Sequence, residues 1–145
     1  MTTRYEDDVV AWANEQASFI RTGQFEKLDL ENIAEEIESV GRSEQREFSS
    51  RMTVLLTQLL KWQFQPYNQC KSWSHAIRAQ RKSVSYLLSG AATLRTKFDD
   101  AVWLDVVWSI AACGVANETG LNLKTFPESC PWLISDILKE GWLPG

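Results

Sequence analysis

The stretch from Ala101 to Ala116 constrains the fold most, because Asp105 and Ser109 are its main polar interruptions. A helix there is apolar on nearly every side, and such a helix belongs in the middle of a bundle or at an interface between chains. It falls short of the ~20 residues that a membrane span needs, so no membrane partner is expected. The reading is one long helix from about Leu94 to Thr119, capped by Gly120.

The rest of the chain supplies helices to surround it. From Tyr5, the residues Tyr5, Val9, Trp12, Ala13, Phe19 and Ile20 fall on one stripe at helical spacing, with Gly23 placed to end it. Asp29 is a good N-cap for a second helix, where Ile33, Ile37 and Val40 share one face and Glu31, Glu35 and Glu38 the opposite one. Across Gly41-Arg42-Ser43 the apolar residues Ile33, Ile37, Val40, Leu55, Leu59 and Trp62 keep an approximate heptad spacing, so a near-continuous or gently kinked helix is expected. It must stop near Gln65, since Pro66 disfavours helix in the residue before it. Ser72 then caps a helix carrying Trp73, Ile77, Val84, Leu87 and Leu88, closed by Gly90. A short C-terminal helix is expected from Pro131 to about Glu140. No stretch alternates at period two. The expected fold is all-α: residues 1–145 as a single-domain bundle of five or six helices.

Composition agrees with a globular chain, at 44% hydrophobic and 23% charged residues. Seven tryptophans are a surplus, and each buries on the order of 150–250 Å² in a core or interface. Cys70, Cys113 and Cys130 are odd in number and scattered, which argues against a disulfide framework and for a reducing compartment. The N-terminal segment has no apolar core of a secretory signal. The chain is therefore read as cytoplasmic.

Several stretches together resemble a known family. They are Tyr5-Glu6-Asp7-Asp8 with Trp12-Ala13, then Leu28 through Glu44, then Leu59-Leu60-Lys61-Trp62-Gln63-Phe64-Gln65-Pro66. Ser72-Trp73, Ile77-Arg78, Gln80-Arg81 and the tail Thr125-Phe126-Pro127-Glu128 with Cys130-Pro131 extend the likeness over nearly the whole chain. It resembles the bacterial family, abundant in cyanobacteria, known as domain of unknown function twenty-nine. The resemblance implies an all-α fold and carries over no site residues.

Charge is segregated along the chain. Residues 1–41 hold three Lys/Arg and ten Asp/Glu, residues 42–97 hold ten and two, and residues 98–145 hold two and seven. An acidic first segment and a basic middle can answer each other within the fold, at only ~0–1 kcal/mol per exposed pair. Alternatively the basic middle faces a partner, through Lys61, Lys71, Arg78, Arg81 and Lys82. Tyr67, Trp62 and Trp73 lie nearby, and interleaved cations and rings suit single-stranded nucleic acid. Both tryptophans fall on apolar stripes, however, where a core role is expected.

If the second helix is continuous, Glu44 and Arg51 point toward its apolar face and are candidates for a buried ion pair, since a lone buried charge is costly. A catalytic Glu44 would need a cleft and a perturbed carboxylate. His75 is the only histidine, no Glu precedes it at the spacing of a di-iron bundle, and it projects away from its helix's apolar stripe. No metal site or cofactor is expected. Neither a phosphate-binding glycine loop nor a nucleophile elbow occurs. Cys113, in the most apolar helix, is expected to be inert packing.

The first functional reading is thus a non-catalytic helical module that binds another protein, or itself as a homo-oligomer, by complementary charge. A nucleic-acid-associated protein is the alternative, and an enzyme of unrecognised type the third. A side of the long helix left bare by the bundle would mark a partner or self-association site.

Overall fold

The computed structural model describes residues 2–145. The chain is all-α, with five α-helices joined by short 3-10 turns and no strand among the described residues. No described helix is long and apolar enough to cross a membrane. Two compact units are present, Met1–Glu44 and Gln45–Gly145. Helix α2 (Leu30–Phe64) runs unbroken through Gly41 and supplies residues to both.

In the first unit, α1 (Val9–Arg21) begins at Asp8, whose carboxylate accepts from Ala11 N at 3.1 Å. The helix expected from Tyr5 therefore starts later, because that cap fixes its first turn. Tyr5 instead lays its ring edge-on against Trp12, centroids 4.9 Å apart, and its hydroxyl donates to the Glu36 carboxylate. Asp29 caps α2 as expected. Its carboxylate accepts from the Asn32 side chain at 2.8 Å and the Trp12 indole at 3.0 Å, while its own N–H donates to the Gln16 side-chain Oε1 at 2.8 Å. Trp12 and Gln16 are the buried residues of α1. This unit is held by a polar network around one tryptophan more than by an apolar core.

In the second unit, α2 buries Phe48, Met52, Leu55, Leu56, Leu59 and Leu60. Their three- and four-residue spacing makes one stripe. Facing them are Ile77, Val84 and Leu88 of α3 (Lys71–Gly90) and Trp103, Val107, Trp108, Ala111, Ala112 and Val115 of α4 (Ala101–Thr119). The cap of α3 is Cys70, two residues before the expected Ser72, and its carbonyl takes the Ser74 N–H. Helix α4 does not begin at Leu94: residues Ala92–Asp99 form 3-10 turns. The Asp100 carboxylate starts the helix by accepting from Val102 N and Trp103 N at 3.0 and 3.2 Å. At its other end Gly120 adopts φ +77°, a left-handed cap that L side chains resist.

Helix α4, expected to be apolar on nearly every side and enclosed, buries one side only. Val102, Val106 and Ile110 form an exposed row, as do Asp105 and Ser109, and the Cys113 thiol expected to be packed is exposed. Tryptophans pin its buried side. Trp103 stacks on Phe48 at 5.5 Å and donates to Ser49 Oγ at 2.9 Å, and Trp108 donates to the Pro127 carbonyl at 2.8 Å. Trp108, Trp132 and Trp142 then make a chain of edge-on contacts into the C-terminal segment. The last α-helix, α5, is a single turn, Ile134–Ile137, rather than one starting at Pro131.

Candidate functional site

The basic segment singled out from the sequence lies mostly on α3, and the structure sorts its cations into different roles. Arg81 is buried, 7% exposed. Its Nε donates to the Ile137 carbonyl at 2.8 Å and its Nη2 to the Trp142 carbonyl. Gly141, at φ +82°, makes the left-handed turn just before Trp142. Burial pushes the Arg81 guanidinium below the usual arginine range. No carboxylate lies within 4.0 Å of it among the described residues. Two backbone dipoles hold this cation, and no counter-charge does.

Around Arg81, α3 and the C-terminal segment enclose an open groove of about 690 Å³. Leu138 and Leu143 give it apolar surface above the buried Ile77, and His75, Arg78, Lys82 and Tyr86 line its α3 side. Arg78, Lys82 and Tyr86 recur every four residues along α3 and so share one face. The one carboxylate lining the groove is Glu140, whose approach to Arg78 is loose at 4.0 Å between exposed groups. That volume is within the ~300–1,000 Å³ of ordinary ligand sites. His75, expected to be simply solvated, is indeed exposed but belongs to the groove wall.

The remaining basic candidates are elsewhere. Lys61 pairs with Glu118 at 3.0 Å and sits 5.1 Å above the Trp73 ring, so its charge is already engaged. Lys71 is exposed and does not line the groove. Trp62 and Trp73 are both half-buried, and Trp62 packs against the core.

The expected interior pair of Glu44 and Arg51 does not form. Glu44 is exposed, and Arg51 donates to Glu47 at 2.8 Å, one turn away on the outside of α2. The buried stripe of α2 centres on Phe48, Met52, Leu55 and Leu59, which leaves Arg51 on its flank. Glu44 lines neither the groove just described nor a smaller one of about 370 Å³ beside Trp108, Cys113 and Phe126. On the acidic face of α2, Arg42 reaches Glu35 at 3.2 Å and Glu38 at 3.5 Å, an exposed network on its own helix. Among the described residues no three His, Cys, Asp or Glu are grouped to hold a metal ion.

Tyr86, Leu138, Glu140 and Leu143 were not singled out from the sequence. The four-residue spacing from Arg78 through Lys82 to Tyr86 is a local signal that could have found Tyr86. The other three reach the groove only through the turn at Gly141. No curated protein and no solved structure matches the chain. The family model described as "Domain of unknown function DUF29" matches residues 4–143, almost the whole chain, and the chain belongs to that family.

Proposed function

We propose that the chain is a non-catalytic protein-interaction module of the cytoplasm, and that its α3 groove takes an acidic segment of a partner protein. The observation that carries this is Arg81. A cation that is 7% exposed, without a carboxylate beside it, stands in a groove whose other charged walls are mainly basic. A partner's carboxylate entering there offsets a charge that the fold leaves uncompensated. Leu138 and Leu143, both half-buried, add apolar surface for a neighbouring side chain of the same segment. Cys70 and Cys113, exposed as free thiols, suit a reducing compartment.

The groove favours an acidic peptide over a nucleic-acid strand. The two tryptophans offered for stacking are half-buried, Lys61 is engaged by Glu118, and Glu140 stands on the rim. The test is fluorescence anisotropy with a labelled peptide bearing several Glu around a Leu-Phe pair, its Gln counterpart, and a single-stranded oligonucleotide. The Glu peptide is expected to bind, and the double variant Arg78→Glu/Lys82→Glu to weaken it by roughly tenfold or more, about 1.4 kcal/mol per decade. Equal binding of the Gln peptide, or no effect of the double variant, overturns the reading. Preferential binding of the oligonucleotide replaces it with the nucleic-acid one.

A further inference from the structure

Given an acidic-peptide groove on α3, the reading on which this rests, we infer that the acidic group it takes is a phosphorylated side chain of the partner's segment. The charge balance comes first. With His75 neutral, the charged side chains lining the groove are Arg78, Arg81 and Lys82 against Glu140, a net of 3 − 1 = +2. A phosphomonoester carries about −1.5 to −2 at pH 7 and meets that balance within one residue. A single Glu or Asp carries one charge and leaves a cation over.

The donors are arranged to match. Ser74, Arg78, Arg81 and Ser85 follow one another at steps of four, three and four residues, so they form one row along α3, with Lys82 beside it. Arg81 holds the C-terminal turn through Nε and Nη2, whereas its Nη1 bonds no described residue. That nitrogen is not among the sealed, unpartnered side-chain atoms, which are oxygens of Gln58, Gln63 and Gln80. Solvent therefore reaches it, and Arg81 lines the groove. A guanidinium only 7% exposed and fixed by two backbone carbonyls has little freedom left to lose on binding.

Arg78 and Lys82, both exposed, can close on the same anion. A carboxylate has two coplanar oxygens, which one guanidinium satisfies bidentately, whereas a phosphate presents three, enough for Arg78, Arg81 and Lys82 together. Leu138 and Leu143 stand half-buried across from these donors, so the groove fits an anion carried on a chain with an apolar neighbour. A nucleic-acid strand is the poorer source of the phosphate, because the net charge of −4 opposes a polyanion at long range.

The experiment is fluorescence anisotropy of the full chain with three labelled peptides of one sequence, in which a Leu-Phe pair stands beside a single phosphoserine, Glu or Ser. The phosphoserine peptide is expected to bind about tenfold more tightly than the single-Glu peptide, and the Ser peptide more weakly than both. Arg78→Gln/Lys82→Gln, with helicity checked by circular dichroism, should make the phosphoserine and Glu peptides bind alike. Should that variant unfold, the comparison of peptides on the wild type still decides. Equal affinity of the phosphoserine and single-Glu peptides overturns the inference, while binding of the peptide with several Glu leaves the groove's reading standing. No binding of any acidic peptide removes both. A preference undiminished in the folded double variant also overturns the inference. So does displacement of the phosphoserine peptide by inorganic phosphate, or by a single-stranded oligonucleotide, as effectively as by the unlabelled peptide.

Discussion

Arg81 Nε donates to the backbone carbonyl of Ile137 at 2.8 Å, across fifty-six residues of sequence. With the second bond from Nη2 to Trp142 O, one side chain of α3 fixes the C-terminal turn that forms the far wall of the groove.

Replacing Arg81 with Ala leaves the Ile137 and Trp142 carbonyls without these donors and opens a gap beside Ile77. Stranded polar groups of this kind cost about 1–3 kcal/mol each. The expected loss is about 2–4 kcal/mol in urea unfolding, since the removed charge was itself costly to bury. Arg81→Lys keeps one donor and should fall between Ala and wild type. Equal stability of all three proteins would show that the C-terminal turn is held by something else, such as the Trp132–Trp142 contact.

Lys61 is the contrasting cation. It bonds Glu118 and covers the Trp73 ring, away from the groove. Lys61→Ala should therefore cost no more than about 1 kcal/mol. It should also leave binding of the acidic peptide unchanged, which anisotropy measures directly. A loss of affinity comparable with that of Arg78→Glu/Lys82→Glu would extend the binding surface to this end of α3.

These two residues mark what was legible in the sequence. Helices, their caps at Asp29 and Gly120, and the stripe from Leu55 to Leu59 are local, so spacing and cap chemistry disclose them. The start of α4 was written at Asp100, a good cap residue, but Leu94 and Phe98, four residues apart, extend a helical spacing upstream and masked it. Glu44 and Arg51 were misplaced because a heptad count drifts by about 20° per heptad from a straight 3.6-residue helix, and the count from Ile33 to Trp62 runs over some four heptads. Arg81 could be placed on the flank of α3 from spacing alone. That two carbonyls from residues 137 and 142 meet it there is tertiary, and no local pattern encodes it.

Glycine gives a paired prediction. Gly120, at φ +77°, has open space around it, so Gly120→Ala should cost about 1–2 kcal/mol from backbone strain alone. Gly114, inside α4 with ordinary helical φ, also meets nothing within 4 Å. Gly114→Ala should instead stabilise by about 0.5–1 kcal/mol, because Ala is the better helix former. Opposite signs in thermal unfolding are expected, and equal signs would refute the cap assignment.

Asp29 is expected to make the stability of the first unit fall in acid. The Asn32 side-chain hydrogen bond, foremost, and the Trp12 indole hold its carboxyl below the usual aspartate range. A depressed folded value means that the ionised form is favoured by folding. The stabilisation is thus complete above the unfolded value of ~3.9 and disappears as pH falls through the lower folded value. Asp29→Asn removes this dependence while keeping a cap oxygen, and Trp12→Phe removes only the indole donor. Helicity followed by circular dichroism during acid titration should show wild type losing stability more steeply with falling pH than Asp29→Asn, with Trp12→Phe between them. Were the wild-type and Asp29→Asn acid limbs to run parallel, the network joining Asp29, Trp12 and Asn32 would owe nothing to its charge.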